Sequence, residues 1–226
     1  MDLEEKIRRV PEWRHRMELA PGVWTPGKHN NAGKLKKLQL PERLDGQRVL
    51  DIGAADGYFS FECERRGAKE VVALDVRQPE GFSVAKEALG SNVEYVQGSL
   101  YDVDLGSFDL ILCLNVLYHV KEVYTAIERL RELCSGKVIV LTWVIDKGYV
   151  LPDGTTVALE DIAPKLKDAP IMQFVPAVEK YKDVPSYWVM SASALTAMME
   201  RAGFTVDDYE LMGHDRALLW AHADGS

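Results

Sequence analysis

The stretch RVLDIGAADGYFSFE, residues 48–62, reads as a buried strand, a turn of small residues and the opening of a helix. Outward from it, strand and helix patterns alternate. YFSFECERRG is an amphipathic helix ended by Gly67, KEVVALDV a second strand, and EGFSVAKEALG a helix stopped by Gly90. NVEYVQGS and FDLILCLNVLYHV follow as strands, then a helix EVYTAIERLRELC closing at Ser135 and Gly136, then the apolar strand KVIVLTWVI. Near-continuous Val, Ile and Leu runs are what parallel strands buried on both faces require, and right-handed crossovers place the helices on either side. The expected architecture is a doubly wound, mostly parallel α/β sheet. Near the C-terminal end Ser191 is set to cap the helix ASALTAMMERAG, Gly203 stops it, and FTVDDYELMG and RALLWAHA lie close enough in sequence to pair antiparallel.

The 226 residues, 47% hydrophobic and 27% charged, fit one well-packed core. The expected division is a leader acting as lid or substrate arm over residues 1–45 and a ligand-binding domain over 46–226. From about residue 146 to 185 the rhythm fails, and so much chain rich in prolines and turn signals is expected to be a lid or a substrate-facing insertion. No apolar run approaches the ~20 residues of a membrane span, and MDLEEKIRRVPEWRHR lacks a signal-peptide core, so a cytoplasmic protein is expected. Cys63, Cys113 and Cys134 are odd in number, show no C-x-x-C spacing and are expected to be buried free thiols. His15, His29, His214 and His222 have no metal-like spacing, and no metal site is expected. The net charge of −8 argues against a protein whose chief work is gripping phosphate backbone. Residues 1–48 nevertheless hold 11 Lys and Arg against 7 Asp and Glu, so a basic leader precedes an acidic body. Such a leader either solvates a helix face or attracts an anionic substrate.

A small-residue turn between a strand end and a helix start lets a ligand approach the backbone, and both dinucleotides and S-adenosylmethionine use such turns. A pyrophosphate calls for G-x-G-x-x-G, whose second glycine makes room and whose third permits close helix packing. Here the run is Gly53-Ala54-Ala55-Asp56-Gly57, with Tyr58 and Phe59 where that pattern places its last small residue. Asp51, ahead of the turn, is a carboxylate at the end of a buried strand and needs a polar task. Asp75, 24 residues later at the end of the second strand, is placed to take both hydroxyls of a ribose. Both acids suit an adenosyl ligand with a positive sulfonium better than one with phosphates. S-adenosylmethionine is the expected cofactor.

In this order, with FDLILCLNVLYHV as the fourth strand, these features resemble the class I S-adenosylmethionine-dependent methyltransferases, a Rossmann-like fold with a C-terminal antiparallel strand pair. The family's D-x-G-x-G-x-G loop stands here as Asp51-Ile52-Gly53-Ala54-Ala55-Asp56-Gly57, with alanine for the middle glycine. The resemblance runs from about Gly46 to the C-terminus. It implies a cofactor site of Asp51, Gly53, Ala55, Gly57, Asp75, Val76, Ser99, Leu100, Asn115 and Tyr118. Gln97 to Leu100 would border the adenine. NVLYHV (115–120), LTWVIDKG (141–148) and SYWVMSASALTAMMERAGF (186–204) further resemble the tRNA wobble-uridine 5-oxyacetate and 5-methoxyuridine synthase family. The leader WRHRMELAPGVWTPG resembles small methyltransferases grouped with it. By that resemblance Tyr118, Arg216 and an upstream lysine, among Lys28, Lys34, Lys36 and Lys37, hold the extra carboxylate of carboxy-S-adenosylmethionine. Lys28 and Tyr187 join Arg216 as the residues assigned to the substrate or donor carboxylate.

Methyl transfer from a sulfonium is an in-line displacement, so alignment and exclusion of water dominate. A hydroxyl acceptor also needs a general base. His119 is the first candidate, and His15 the second if the leader folds over the site. Structural roles stand beside these: Tyr118 and His119 as a packed pair at a strand mouth, Arg216 in a salt bridge to Asp208 or Glu210, and Trp13, Trp24, Tyr187 and Trp188 as packing anchors. Three readings follow. The first is a methyltransferase acting on oxygen or carbon of a small or medium organic acceptor. The second is an RNA methyl- or carboxymethyltransferase acting on a tRNA wobble uridine with either donor. The third is a catalytically silent S-adenosylmethionine-binding subunit.

Overall fold

The computed structural model describes residues 1–77, 79–151, 153–175, 186–213 and 215–223. The chain forms two compact units, Met1–Asp104 and Leu105–Ser226.

In the first unit the strands Arg48–Ile52, Glu70–Asp75 and Glu94–Gln97 pair in parallel, in that order. Val49, Leu50, Val71, Val72, Ala73 and Leu74 are all buried, the pattern of strands covered on both faces. Asp51 lies opposite Ala73, and Asp75 opposite Gln97, so the two acids sit at the C-terminal ends of neighbouring strands. The crossovers are the helices Tyr58–Arg65 and Glu80–Leu89. Gly90 ends the second in the left-handed conformation, its amide donating to the Glu87 carbonyl. At the opposite strand end Arg48 grips Glu70 through two hydrogen bonds of 2.9 and 2.7 Å, a partly exposed pair that adds at most about 1 kcal/mol. The leader is built from small pieces. A helix Leu3–Arg9 is capped by Asp2, whose side chain accepts from the Glu5 amide at 2.7 Å. His15–Arg16 pairs in parallel with His29–Asn30, Glu18–Ala20 antiparallel with Val23–Trp24, and a helix Asn31–Lys37 follows.

In the second unit Phe108–Leu114 runs parallel to Cys134–Trp143, which pairs antiparallel with Arg216–Ala223, which in turn pairs antiparallel with Phe204–Met212. The expected C-terminal antiparallel pair is present. Ser191 caps the helix Ala192–Arg201, its hydroxyl accepting from the Ala194 amide at 3.2 Å. Two expectations are corrected: the strand expected over FDLILCLNVLYHV stops at Leu114, with Leu117–His119 a 3-10 turn, and Ser135 and Gly136 do not close the helix Val123–Leu133 but lie within the strand Cys134–Trp143 that follows it directly. The glycine serves close strand approach, because a Cβ there would stand 2.3 Å from the Asp109 carbonyl oxygen. The irregular stretch after residue 146 contains the ladder Tyr149–Val150 with Thr156–Val157, a turn of helix Leu159–Ile162, a 3-10 turn Pro164–Leu166, and Met172–Phe174 paired antiparallel with Trp188–Met190. Leu159, Val175 and Val189 bury it against Tyr118, Trp143 and Ile145. Residues 176–185 of that stretch, and His214, lie outside the described residues. The three cysteines are buried and free. No described helix is long and apolar enough to cross a membrane.

Candidate functional site

The first unit brings the loop residues and both strand-end acids together. Gly53 and Gly57 have φ of 71° and 85°, and Ala55, in the place of the family's middle glycine, has φ of 49°. A left-handed alanine costs about 1 kcal/mol. It is held there because its amide donates to Asp75 Oδ2 at 3.0 Å. Asp75 Oδ1 accepts from the Arg77 amide at 3.1 Å, and the Gly53 amide donates to the Leu74 carbonyl at 2.7 Å. The turn after the third strand joins the same cluster: the Gly98 amide donates to the Asp75 carbonyl at 2.9 Å, and Gln97 reaches the Val76 carbonyl at 3.4 Å. Val76 is 66% exposed beside this acid, and Leu100 is buried. The Ser99 hydroxyl accepts from the Tyr101 amide at 3.3 Å. Asp75, Val76, Ser99 and Leu100, which are distant in sequence, are thus neighbours around one strand end.

Asp51 is buried and takes the Ser60 hydroxyl at 2.6 Å. Burial, with the Asp75 charge adding to it against the Ser60 bond, raises its carboxyl to about 7. Asp56 has a task that local pattern did not reveal: buried in the loop, its Oδ2 accepts the backbone amides of Arg14 at 2.6 Å and His15 at 2.9 Å. The leader is thereby tied to the glycine loop. Thr25 completes the tie, its hydroxyl donating to the His15 carbonyl at 2.6 Å. The His15 ring is buried between Tyr58 and Phe59, with centroids 6.0 and 5.9 Å away. Burial, then the charges of Arg14 and Lys34, lower its pKa to about 3. A ring so hard to protonate is a weak base at neutral pH. Lys28 is exposed on the same leader.

The shifts of Asp51 and His15 have opposite consequences for stability. Between about pH 4 and 7 the folded state holds a proton on Asp51 that the unfolded state has released, so this group's contribution falls as pH rises. Between about pH 3 and 6.5 the unfolded state protonates His15 while the folded state does not, so this contribution is lost as pH falls. Each slope is at most about 1.4 kcal/mol per pH unit, and where the windows overlap they offset one another. Asp51→Asn should unmask the His15 slope, giving a protein that loses urea resistance on acidification from pH 6.5 more steeply than the parent. Parallel curves for the two proteins would contradict this assignment.

In the second unit Asn115 directly follows the strand Phe108–Leu114 at φ 62°, its amide donating to the Leu141 carbonyl at 2.6 Å. Left-handed geometry is one that asparagine tolerates better than most residues. The Arg216 guanidinium carbon lies 5.4 Å from the centre of the Tyr118 ring and 5.7 Å from that of Trp143. The two rings meet edge to face, and Tyr118 packs 4.1 Å from the His119 ring. Arg216 pairs with Asp215, Nη1 to Oδ2, at 2.8 Å, so its ionic partner is the preceding residue. The Tyr187 amide donates to the Tyr118 carbonyl at 2.8 Å, and Lys121 stands over the Tyr187 ring at 5.7 Å. Tyr118, His119, Tyr187 and Arg216 therefore share one neighbourhood. Trp143 belongs to it through register alone, opposite Arg216 across two antiparallel strands, and no local signal in the sequence marks it.

A family model described as a methyltransferase domain matches residues 27–209. The chain belongs to the class I S-adenosylmethionine-dependent methyltransferases. This methyltransferase is 28% identical over 219 residues to the tRNA U34 carboxymethyltransferase of Helicobacter pylori (strain Shi470), covering 93% of this chain and 75% of that one. It is 26% identical over 170 residues to the tRNA U34 carboxymethyltransferase of Dichelobacter nodosus (strain VCS1703A), covering 73% of this chain and 47% of that one. Several of the curated relatives it matches are thus about twice the length it spans. Among solved structures it is similar to the N-terminal domain of EvdMO1 crystallised in the presence of SAH and D-fucose, at 20% identity and a TM-score of 0.68, covering 100% of this chain and 98% of that one. The shared fold is the Rossmann-like α/β class with a C-terminal antiparallel pair that the strand pattern implies.

Proposed function

We propose that this chain transfers the methyl group of S-adenosylmethionine to an oxygen or carbon of a small or medium organic acceptor. The observation that carries the reading is the Asp75 cluster. Each carboxylate oxygen holds one backbone amide and keeps lone-pair capacity for a ribose hydroxyl. Exposed Val76 offers an apolar rest for a purine face, and the turn around Ser99 and Leu100 closes the edge beside it. These residues fit an adenosyl group, and Asp51, charged above about pH 7, fits a cationic amino-acid moiety. When bound, the cofactor supplies a methyl group activated by its sulfonium. The chain's part is to orient that group and shield it from water. For a hydroxyl acceptor we assign the proton to His119 in preference to His15, whose buried ring is hard to protonate. Isothermal calorimetry with S-adenosylhomocysteine tests the reading: micromolar binding is expected, and NAD should not compete. Competition by NAD, or NAD carried through purification, would overturn it.

A second reading is favoured by one cluster and by the relatives. Arg216, braced over Tyr118 and Trp143, presents a planar cation suited to a carboxylate, and several of the matched proteins are tRNA U34 carboxymethyltransferases. In this reading the donor is carboxy-S-adenosylmethionine and the acceptor a tRNA wobble uridine. Arg216→Ala should weaken the carboxylated donor about tenfold or more, the size of a lost charge-assisted hydrogen bond, and leave S-adenosylmethionine within about twofold. Equal losses for both donors would remove this reading. Retention on immobilised tRNA that falls steeply with salt would support it, since phosphate contacts release counterions.

A further inference from the structure

Two buried polar side chains in the leader region have atoms without a hydrogen-bond partner. Asn31 is 1% exposed, and both its Oδ1 and its Nδ2 are unpaired. His15 is 7% exposed, and its Nδ1 is unpaired. Folded proteins pair nearly all such atoms, so each exception calls for an explanation. The two are close along the fold. His15 pairs with His29 and Arg16 with Asn30 in parallel register, and Asn31 follows directly. The backbone of His15 is saturated on both sides, its amide on Asp56 and its carbonyl on the Thr25 hydroxyl. Gly27 lies against that carbonyl so closely that a Cβ would stand 2.1 Å away. The main chain is therefore fixed while these side-chain polar atoms are buried and unpaired. The surroundings are aromatic, with Tyr58 and Phe59 against the imidazole.

We propose that Asn31 and His15 form an acceptor subsite beneath the leader that recognises an uncharged lactam or carboxamide edge on an aromatic ring. This rests on the methyltransferase reading for its purpose, though not for its test. The Asn31 amide supplies one donor and one acceptor side by side, and a lactam returns the complementary N–H and C=O. His15 Nδ1 takes a further polar atom, and Tyr58 and Phe59 pack the ring that carries the edge. The subsite discriminates strongly: a site built to pair N–H and C=O groups rejects an analogue that leaves them unpaired.

The probes are 2-quinolone and N-methyl-2-quinolone, which differ in the N–H alone, titrated into the full chain by protein-observed NMR with and without S-adenosylhomocysteine. The parent should bind 2-quinolone at least about tenfold more tightly. Asn31→Leu, which removes the orphan amide at similar volume, should abolish the preference and leave the melting temperature equal or higher. No preference in the parent would overturn the proposal, as would a preference that survives in Asn31→Leu or a fall in melting temperature, which would mean the amide is structurally engaged. If Asn31→Leu fails to fold, Asn31→Ala, which removes both the acceptor and the donor, decides by the same comparison. Should S-adenosylhomocysteine not bind at all, the methyltransferase reading fails while the titration without it still decides the lactam assignment.

Discussion

Gly57→Ala is expected to destabilise the protein by about 3 kcal/mol, a large share of the 5–15 kcal/mol by which most proteins are folded. Two separate costs add. A non-glycine residue held at φ of 85° loses about 1–2 kcal/mol. A Cβ at this position would also stand 2.7 Å from two atoms of the Phe82 ring and 2.8 Å from Phe61. Those rings stack with centroids 5.2 Å apart, and Phe82 also packs on Tyr95 at 4.4 Å, so neither can yield without disturbing the other, at a typical overpacking cost of about 1–3 kcal/mol. For a chain of this length the melting temperature should fall by about 10 °C. Gly90→Ala is the control: its φ is 61° and nothing lies within 4 Å of the added Cβ, so it should show the backbone cost alone. Equal losses at the two glycines in scanning calorimetry would refute the packing argument.

Asp75→Ala should weaken S-adenosylhomocysteine by about 10–100-fold, because hydrogen bonds to a charged group contribute about 1.5–3 kcal/mol each and tenfold corresponds to about 1.4 kcal/mol. The side chain is tied to the loop through Ala55 and, in the proposed function, also takes the ribose, and both roles act in the same direction. Asp56→Ala should change that affinity by less than about threefold, since the Asp56 carboxylate is spent on the Arg14 and His15 amides. It should instead loosen the leader, read as faster amide exchange over residues 13–16. Equal effects of the two substitutions on binding would contradict the assignment of the ribose acid.

The sequence made the core strands legible because their burial on both faces leaves near-continuous apolar runs, as at Val71–Leu74 and Ile111–Leu114. The strand-end position of Asp75 was readable from the apolar run before it, and Ser191 from the chemistry of helix capping. Gly136 misled because glycine after a helix usually marks its stop, whereas here it admits the Asp109 backbone, a contact set by a neighbouring strand. The role of Asp56 was hidden because its partners lie 42 and 41 residues away. Trp143 beside Arg216 was hidden for a related reason: strand register across two chain segments puts them together. The leader strands, two or three residues long, are too short for any period to appear.

The Asp56 clamp has a practical consequence for anyone trimming this protein to its recognised family boundaries. A fragment starting at residue 27, where the family match begins, would discard Arg14 and His15 and strand a carboxylate inside the glycine loop with neither of its donors. Such a stranded acid must either take up a proton or drag water inward, so the excised piece would carry a damaged loop even with every glycine of the motif intact.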